Sequence, residues 1–334
     1  MNIPAELTQW LLDPADPGPR FMALAALPGL KAAPTDLEAA RLTAYASGPI
    51  ATVLSRQKPE GYWEQPGPGY GPKFTGTVWA LLLLAQLGAH VSQDIRVQKA
   101  ADYYLANALF TDQFLTRTAA RGTIDCLQGN MLYALLRLGV EPERLAGAMD
   151  FLACTITGTG FAPYGSRGQA RAYNGYKLGP GFLCRASYGL PCGWAAAKAL
   201  LALGAWPAGQ RSDEVTAAIE ATTAFFLNTD LLDAPWSKTP EGKQDPRWKA
   251  LAFPLYYATD LLQIAEGLTA LGHARHAKVQ QLLDFIESKR QPEGYFLQEY
   301  AYGSRTFPGL GSKGKPSKWV TLRVLQVLQS AGRL

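Results

Sequence analysis

The chain has 334 residues, of which 48% are hydrophobic and 18% charged, a composition typical of a globular protein with ample material for a core. The net charge of +5 is spread along the chain, which argues against a nucleic-acid-binding protein. Four cysteines are too few for a disulfide framework in a chain of this length. We see no signal peptide, and the longest apolar stretch is shorter than the about 20 residues that span a bilayer, so we expect a cytoplasmic protein without a transmembrane segment.

The chain from 1 to 334 is predicted to be one all-α domain, with N-terminal helices over 1–55 and repeated helical hairpins over 56–334. The first helix of each hairpin is apolar and ends in Leu-Gly; these helices are predicted over 77–88, 130–139, 193–204 and 259–272. Glycine readily takes the left-handed conformation that closes many helices. We therefore predict helix ends at Gly88, Gly139, Gly204 and Gly272.

The second helix of each hairpin is amphipathic, and a final apolar helix closes the chain. The amphipathic helices are predicted over 95–109, 142–154, 213–228 and 276–290, and the final helix over 317–332. Buried apolar helices inside a ring of amphipathic ones make an α/α toroid, with an open helical solenoid as the alternative. The long loops over 56–76, 155–191, 229–252 and 291–316 are of a length that is usually functional.

Two short phrases then point to a family. QKPEGYW at 57–63 and RQPEGYF at 290–296 resemble the Gln-x-x-Gly-x-Trp/Phe repeats of the terpenoid cyclase and protein prenyltransferase superfamily. Segments 10–27, 125–139, 253–263 and 314–328 also resemble bacterial prenyltransferase/squalene-cyclase-repeat proteins, so the likeness covers nearly the whole chain. The resemblance implies a toroid around an aromatic-lined cavity that holds a prenyl chain.

Candidate substrate-binding residues are aromatic or basic. The aromatic ones could stabilise carbocations through their ring faces; the set is Trp79, Tyr173, Tyr176, Tyr257, Tyr300, Tyr302, Arg305, Lys318 and Trp319. For the aromatic residues of the two repeat phrases we favour the alternative that they staple neighbouring hairpins together. The basic loop 302–319 is predicted either to hold a diphosphate at the cavity mouth or to be a solvated surface loop.

In a toroid, the N-terminal ends of the inner helices meet at one rim. Asp125, Cys126, Cys192, Asp260 and Lys318 are predicted to converge there. Because the resemblance implies catalytic zinc, Cys126, Cys184 and Cys192 are candidate Zn²⁺ ligands, with Asp125, Asp260 or water as the fourth. Buried free cysteines are the alternative.

The sequence lacks the Asp-x-Asp-Asp and Asp-Asp-x-x-Asp motifs of terpene cyclases. A lone buried carboxylic acid could still donate a proton, and Asp260 and Asp125 are the candidate catalytic acids. The alternative for both is a helix N-cap, a common role of aspartate at a helix start.

The sequence therefore predicts an isoprenoid-handling enzyme that uses acid-initiated or Lewis-acid carbocation chemistry. One alternative is a non-catalytic toroid that binds a lipid or a partner protein. The other is a carbohydrate-active toroid using loop carboxylates, which would be drawn from Glu60, Glu64, Asp230, Asp233, Glu241, Asp245, Glu293 and Glu299. The sequence does not indicate the oligomeric state.

Overall fold

The computed structural model of the chain describes residues 3–30, 33–116, 124–169, 171–234 and 245–334. The described ranges hold thirteen α-helices and one short hairpin of paired strands, which confirms the all-α prediction. In chain order the helices are α1 Ala5–Leu11, α2 Pro17–Ala26, α3 Pro34–Ala46, α4 Gly48–Leu54, α5 Thr77–Gln86, α6 Ile95–Ala108, α7 Asp125–Arg137, α8 Ala146–Thr157, α9 Gly193–Ala205, α10 Asp213–Leu227, α11 Leu261–Ala270, α12 Ala277–Glu287 and α13 Lys318–Ser330. The strands are β1 Leu109–Phe110 and β2 Gln113–Phe114. Part of the loop predicted over 229–252, which includes Glu241, lies outside the described residues.

Three of the four predicted Leu-Gly helix ends are confirmed. Gly88, Gly139 and Gly272 have φ values of 79°, 82° and 88°, which only glycine adopts without strain. After each glycine, the next backbone amide bonds back to a carbonyl five residues earlier, as in Ala89 N–Leu84 O at 2.9 Å. The carbonyls at these helix ends are thereby satisfied.

The prediction for Gly204 is wrong, because α9 continues through this residue to Ala205. The helix ends instead at Trp206, whose extended backbone (φ −70°, ψ 131°) is the conformation favoured before a proline such as Pro207. Gly204 serves a packing role. A Cβ placed there would lie 3.2 Å from the Ala270 Cβ of α11.

The apolar helices pack side by side in chain order. Helix α5 contacts α7, α7 contacts α9, α9 contacts α11, α11 contacts α13, and α13 contacts α2. Met22 and Phe21 of α2 also approach Gly88 at the end of α5. The amphipathic helices α6, α8, α10 and α12 pack on α5, α7, α9 and α11 respectively. No described helix is both long and apolar enough to cross a bilayer.

The two repeat phrases adopt the same local structure. The amides of Trp63 and Phe296 donate to the hydroxyls of Thr77 and Thr321, at 3.1 and 2.9 Å, in the first turns of the next apolar helices. Both aromatic side chains are buried, and the Trp63 indole also donates to the Val53 carbonyl at 2.8 Å. These residues therefore staple one hairpin to the next, the alternative favoured from the sequence.

Candidate functional site

Most predicted aromatic ligand contacts lie in a cluster of rings over the N-terminal ends of the apolar helices. Trp79 is buried there and donates its indole N–H to the Tyr70 carbonyl at 2.9 Å. Phe74 stacks on Tyr256 and contacts Tyr302, with ring centroids 5.5 and 4.7 Å apart. Tyr257 and Tyr300 pack at the edge of the same cluster, against Trp79 and Tyr302 respectively. These rings contact each other, so the loops that carry them cover this end of the helices.

Tyr173 and Tyr176 lie apart from that cluster. Tyr173 is buried, stacks on Phe161, and donates its hydroxyl to the Thr155 carbonyl at 3.1 Å. Tyr176 is 53% exposed and lies beside the cysteines described below.

The basic residues predicted to hold a diphosphate have other contacts. Lys318 forms an ion pair with Asp16, lies 3.5 Å from Asp13, and packs over the ring of Trp10. Arg305 is exposed and lies over the rings of Phe74 and Tyr302. The two cations therefore do not face a common pocket.

Asp260 is the N-cap of α11, as the alternative interpretation predicted. Its Oδ1 accepts the amide of Gln263 at 3.0 Å, and Oδ2 accepts the amide of Ala252 at 3.3 Å. The guanidinium of Arg323 donates to both carboxylate oxygens, at 2.8 and 3.1 Å. The residue is fully buried, and its carboxylate acts as an acceptor in all of these contacts.

Asp125 is not the N-cap of α7, a position held by Ile124, but lies in the first helical turn. Its carboxylate forms a buried ion pair with Lys177, and the Thr155 hydroxyl donates to it at 3.4 Å. The Lys177 ammonium also lies 5.5 Å from the ring centre of Phe182. Asp125 thus has a positive partner that the sequence did not suggest.

The three predicted zinc ligands do come together. Cys126, Cys184 and Cys192 line one small cavity of about 20 Å³, beside Asp125 and Lys177. Burial raises the pKa of the Cys126 thiol to about 12. The neighbouring Cys192 thiol lowers the pKa of Cys184 to about 6, against the opposing effect of burial.

The donor set fits zinc only in its sulfur atoms. Asp125 is paired with Lys177 and Asp260 with Arg323, so of the predicted fourth ligands only water remains available. Among the described residues, no group of three or more His, Cys, Asp or Glu side chains is arranged to hold a metal ion. The residues therefore do not fit zinc as the resemblance implies it, and no chemical step is assigned to it.

Metal analysis of the purified chain tests the zinc site directly. A specific site would give close to one zinc per chain, whereas less than about 0.2 would exclude it. Because no three His, Cys, Asp or Glu side chains are arranged to hold a metal ion among the described residues, we expect the lower value. The variant Cys184→Ser should then leave the metal content unchanged, and a metal content that falls with this substitution would contradict us.

The main cavity opens at the opposite end of the apolar helices. It has a volume of about 320 Å³, and its lining includes the last residue of five helices: Ala26, Gln86, Arg137, Ala270 and Ser330. From this mouth it reaches inward to Phe253, Gln263 and Trp319. The sequence placed the mouth at the N-terminal ends, and the loops with the aromatic cluster occupy that position instead.

The cavity lining contains two chemically different sets of side chains, which we call the apolar wall and the polar wall. The apolar wall comes mainly from α2, α5 and α13, and consists of Met22, Ala26, Ala85, Phe253, Trp319, Leu322 and Val327. The polar wall comes mainly from α7, α11 and α13, and consists of Tyr133, Arg137, Gln263, Glu266, Thr269, Arg323 and Gln326. Of the predicted aromatic ligand contacts, Trp319 lines this cavity, where it stacks on Phe253 with centroids 4.9 Å apart.

A hydrogen-bond network organises the polar wall. The Tyr133 hydroxyl donates to the Glu266 carboxylate, and burial together with this negative charge raises the pKa of Tyr133 well above its usual range. Behind the wall, the buried Lys198 Nζ donates to Gln263 Oε1 at 2.6 Å. The network holds a carboxylate and a phenol facing the cavity, an arrangement that can accept or relay a proton.

The sequence contains a signal for this polar wall. Polar residues recur at helical spacing along one side of otherwise apolar helices, as in Tyr133 and Arg137 of α7 or Gln263 and Glu266 of α11. In α13, Arg323 and Gln326 have the same spacing. Such a stripe on a buried helix indicates a polar surface inside the protein.

Lys198, buried behind the polar wall, should make the free energy of unfolding of the protein depend on pH. Burial lowers its pKa to about 7, with Asp260 opposing and Arg323 reinforcing this shift. Between about pH 7.5 and 9.5 the folded protein keeps this lysine mostly neutral while the unfolded chain still protonates it, so stability should rise with pH by up to about 1.4 kcal/mol per unit. Urea unfolding of the wild type and Lys198→Met across this range measures the difference.

The Lys198→Met variant should lack this rise, because methionine does not titrate. The exposed Lys99→Met is the matched control and should keep the wild-type pH dependence. Wild type and Lys198→Met with parallel pH profiles would show that the buried ammonium is not responsible.

No protein-family model matches this chain, and no curated protein matches it. The function therefore has to be argued from the cavity and its surroundings.

Proposed function

We propose that the apolar helices close into the inner ring of an α/α toroid. Two observations support this. Helices α5, α7, α9, α11 and α13 contact one another in order, and α2 contacts α13 while its Met22 and Phe21 approach the end of α5. The amphipathic helices pack outside them, as an outer ring would.

We further propose that the protein is an isoprenoid-handling enzyme and that its ligand occupies the main cavity. The observation that carries this proposal is that the cavity lining combines apolar side chains with polar and charged ones. Met22, Phe253 and Leu322 offer a surface for a prenyl chain, and the polar wall offers partners for a head group. At about 320 Å³ the cavity lies at the small end of the range of ligand sites, about 300–1,000 Å³, which favours a short chain.

In this proposal, Glu266 is the catalytic acid or base. Its carboxylate lines the cavity and is hydrogen-bonded by Tyr133, so the pair can transfer a proton to or from a bound ligand. Asp260 and Asp125, the acids predicted from the sequence, are both held in ion pairs, and neither carboxylate is part of the cavity lining. The rings of Trp319 and Phe253 would lie beside a developing positive charge.

Product analysis tests the enzyme proposal. The wild-type protein incubated with geranyl diphosphate should give a new product, detected by mass spectrometry, and Glu266→Gln should lower its rate by about 100-fold or more if the carboxylate is the acid or base. Asp260→Asn in a folded protein should retain turnover. Turnover that survives Glu266→Gln but is lost in folded Asp260→Asn would return the catalytic role to Asp260.

A non-catalytic lipid-binding toroid is the second candidate. It is favoured by one observation, which is that both predicted catalytic acids are consumed by ion pairs. A protein that binds prenyl ligands without converting them would support it. The carbohydrate-active alternative has less support, because none of the described loop carboxylates lines the main cavity.

A further inference from the structure

Arg137 is a cation at the mouth of the main cavity, where the nearby Tyr133 and Glu266 raise its pKa although neither forms a hydrogen bond or ion pair with it. It is the last residue of α7, its side chain is exposed, and it forms no hydrogen bond or ion pair with any described residue. The nearby Glu266 carboxylate is bonded by Tyr133 instead. The guanidinium therefore keeps its donors free for a ligand.

Two buried polar atoms in the same lining also lack partners among the described residues. They are Thr269 Oγ1 and Gln326 Nε2, on α11 and α13, and both belong to residues that line the cavity. Thr269 is only 8% exposed. Leaving a buried donor or acceptor unpaired is unfavourable, so a ligand atom that bonds to them would be stabilised.

We infer that Arg137, Thr269 and Gln326 bind the anionic head group, a carboxylate or a phosphate, of a small amphipathic ligand. The head group would accept hydrogen bonds from the Arg137 guanidinium and the Gln326 amide, while its apolar body lies along Met22 and Leu322. This inference deepens the proposed function and rests on it for the prenyl nature of the apolar body.

Helix dipoles at the mouth oppose an anion only weakly. Five helices end there, and their C-terminal ends carry partial negative charge. The carbonyls before Gly88, Gly139 and Gly272 are, however, satisfied by backbone amides. A charge-assisted bond from a guanidinium is stronger than the remaining dipole effect. The site also lies at the opposite end of the helices from the basic loop 302–319 predicted to hold a diphosphate.

Three ligands with the same ten-carbon chain test the inference. Geranyl phosphate, geranic acid and geraniol differ only in the head group, and isothermal titration calorimetry on the full chain measures their affinities. We expect the better of the two anions to bind at least about tenfold tighter than the alcohol, and Arg137→Gln to remove this preference. Which anion binds more tightly distinguishes a carboxylate site from a phosphate site.

The matched control is Arg144→Gln, because Arg144 is exposed and pairs with Asp102 at 2.8 Å on the outside of the protein. It should leave all three affinities unchanged. A second variant, Gln326→Leu, should weaken both anions while geraniol binding changes little. Equal affinities for alcohol and anions in the wild type, or an anion preference that survives Arg137→Gln, would overturn the inference.

Sodium octanoate separates this inference from the proposed function. If octanoate binds in an Arg137-dependent manner and no geranyl ligand binds, the anion site is supported and the proposed isoprenoid function is contradicted. Geraniol that binds as tightly as the anions would do the reverse. A wild-type protein that binds none of the four probes overturns the anion site.

Discussion

Replacing Lys177 by methionine is expected to lower the free energy of unfolding by about 3–5 kcal/mol. The substitution leaves the Asp125 carboxylate buried, with 3% of its side chain exposed, and without its positive partner. The remaining hydrogen bond from Thr155, at 3.4 Å, is too long to compensate for a buried charge. Denaturant unfolding followed by circular dichroism measures the loss.

A double variant shows whether the lost stability comes from the unpaired charge. Lys177→Met combined with Asp125→Leu removes both charges, and should recover most of the stability because a buried ion pair and an apolar pair of similar volume are often nearly equivalent. Arg144→Met breaks the exposed ion pair with Asp102 and should change stability by less than about 1 kcal/mol. If Lys177→Met lowers the free energy of unfolding as little as Arg144→Met does, the ion pair between Lys177 and Asp125 is not buried as described.

The helices and their ends could largely be predicted because their causes are local. An apolar run at helical spacing followed by glycine carries both the helix and its end, as at Gly88 and Gly139. Gly204 has the same local pattern, but Pro207 three residues later moves the end to Trp206. The cause of this difference is thus also local, since Pro207 is a signal present in the sequence itself.

The ion partners of the candidate acids could not be predicted in the same way. Asp125 forms an ion pair with Lys177, which is 52 residues away in the sequence, and Asp260 forms one with Arg323, which is 63 residues away. These pairings depend on the path of the loops and the rotation of each helix about its axis. Neither can be derived from short-range patterns, so aspartates at helix starts looked available when they are not.

The position of the cavity could not be predicted for the same reason, because it also depends on the path of the loops and the rotation of each helix. The sequence predicts that loops and N-terminal helix ends share one side of the molecule and form an open rim there. The rings of Phe74, Tyr256 and Tyr302 pack on one another there, and burial of aromatic surface favours such filling. The larger cavity opens at the other end, among the last residues of five helices.

Substitution of Gly129, in the middle of α7, is expected to have the second large effect on stability. A Cβ at this position would lie 2.5 Å from the Lys198 carbonyl carbon and 2.6 Å from the Ala199 nitrogen, both backbone atoms of α9. Backbone atoms inside a helix cannot swing aside, so α7 and α9 would have to separate. We expect Gly129→Ala to destabilise the protein by about 1–3 kcal/mol, even though alanine favours the helix by about 0.5–1 kcal/mol.

A larger residue should follow the same trend, so Gly129→Val is expected to cost more than Gly129→Ala. The control is Gly209→Ala, since no atom lies within 4 Å of a Cβ there and the backbone is in an ordinary region. Its stability should stay within about 0.5 kcal/mol of the wild type. Gly129→Ala that is neutral or stabilising would mean that the two helices do not approach this closely.

The Gly129 variants also test whether the close contact between α7 and α9 excludes water from the Lys198 side chain. Because Gly129 packs on the backbone of Lys198, separation of α7 from α9 would admit water to the ammonium and raise its pKa from about 7 toward the ordinary value. The rise of stability with pH expected for the wild type should then be smaller in Gly129→Ala. A variant that loses stability yet keeps the full pH dependence would show that Lys198 owes its low pKa to α11 and α13 rather than to the contact between α7 and α9.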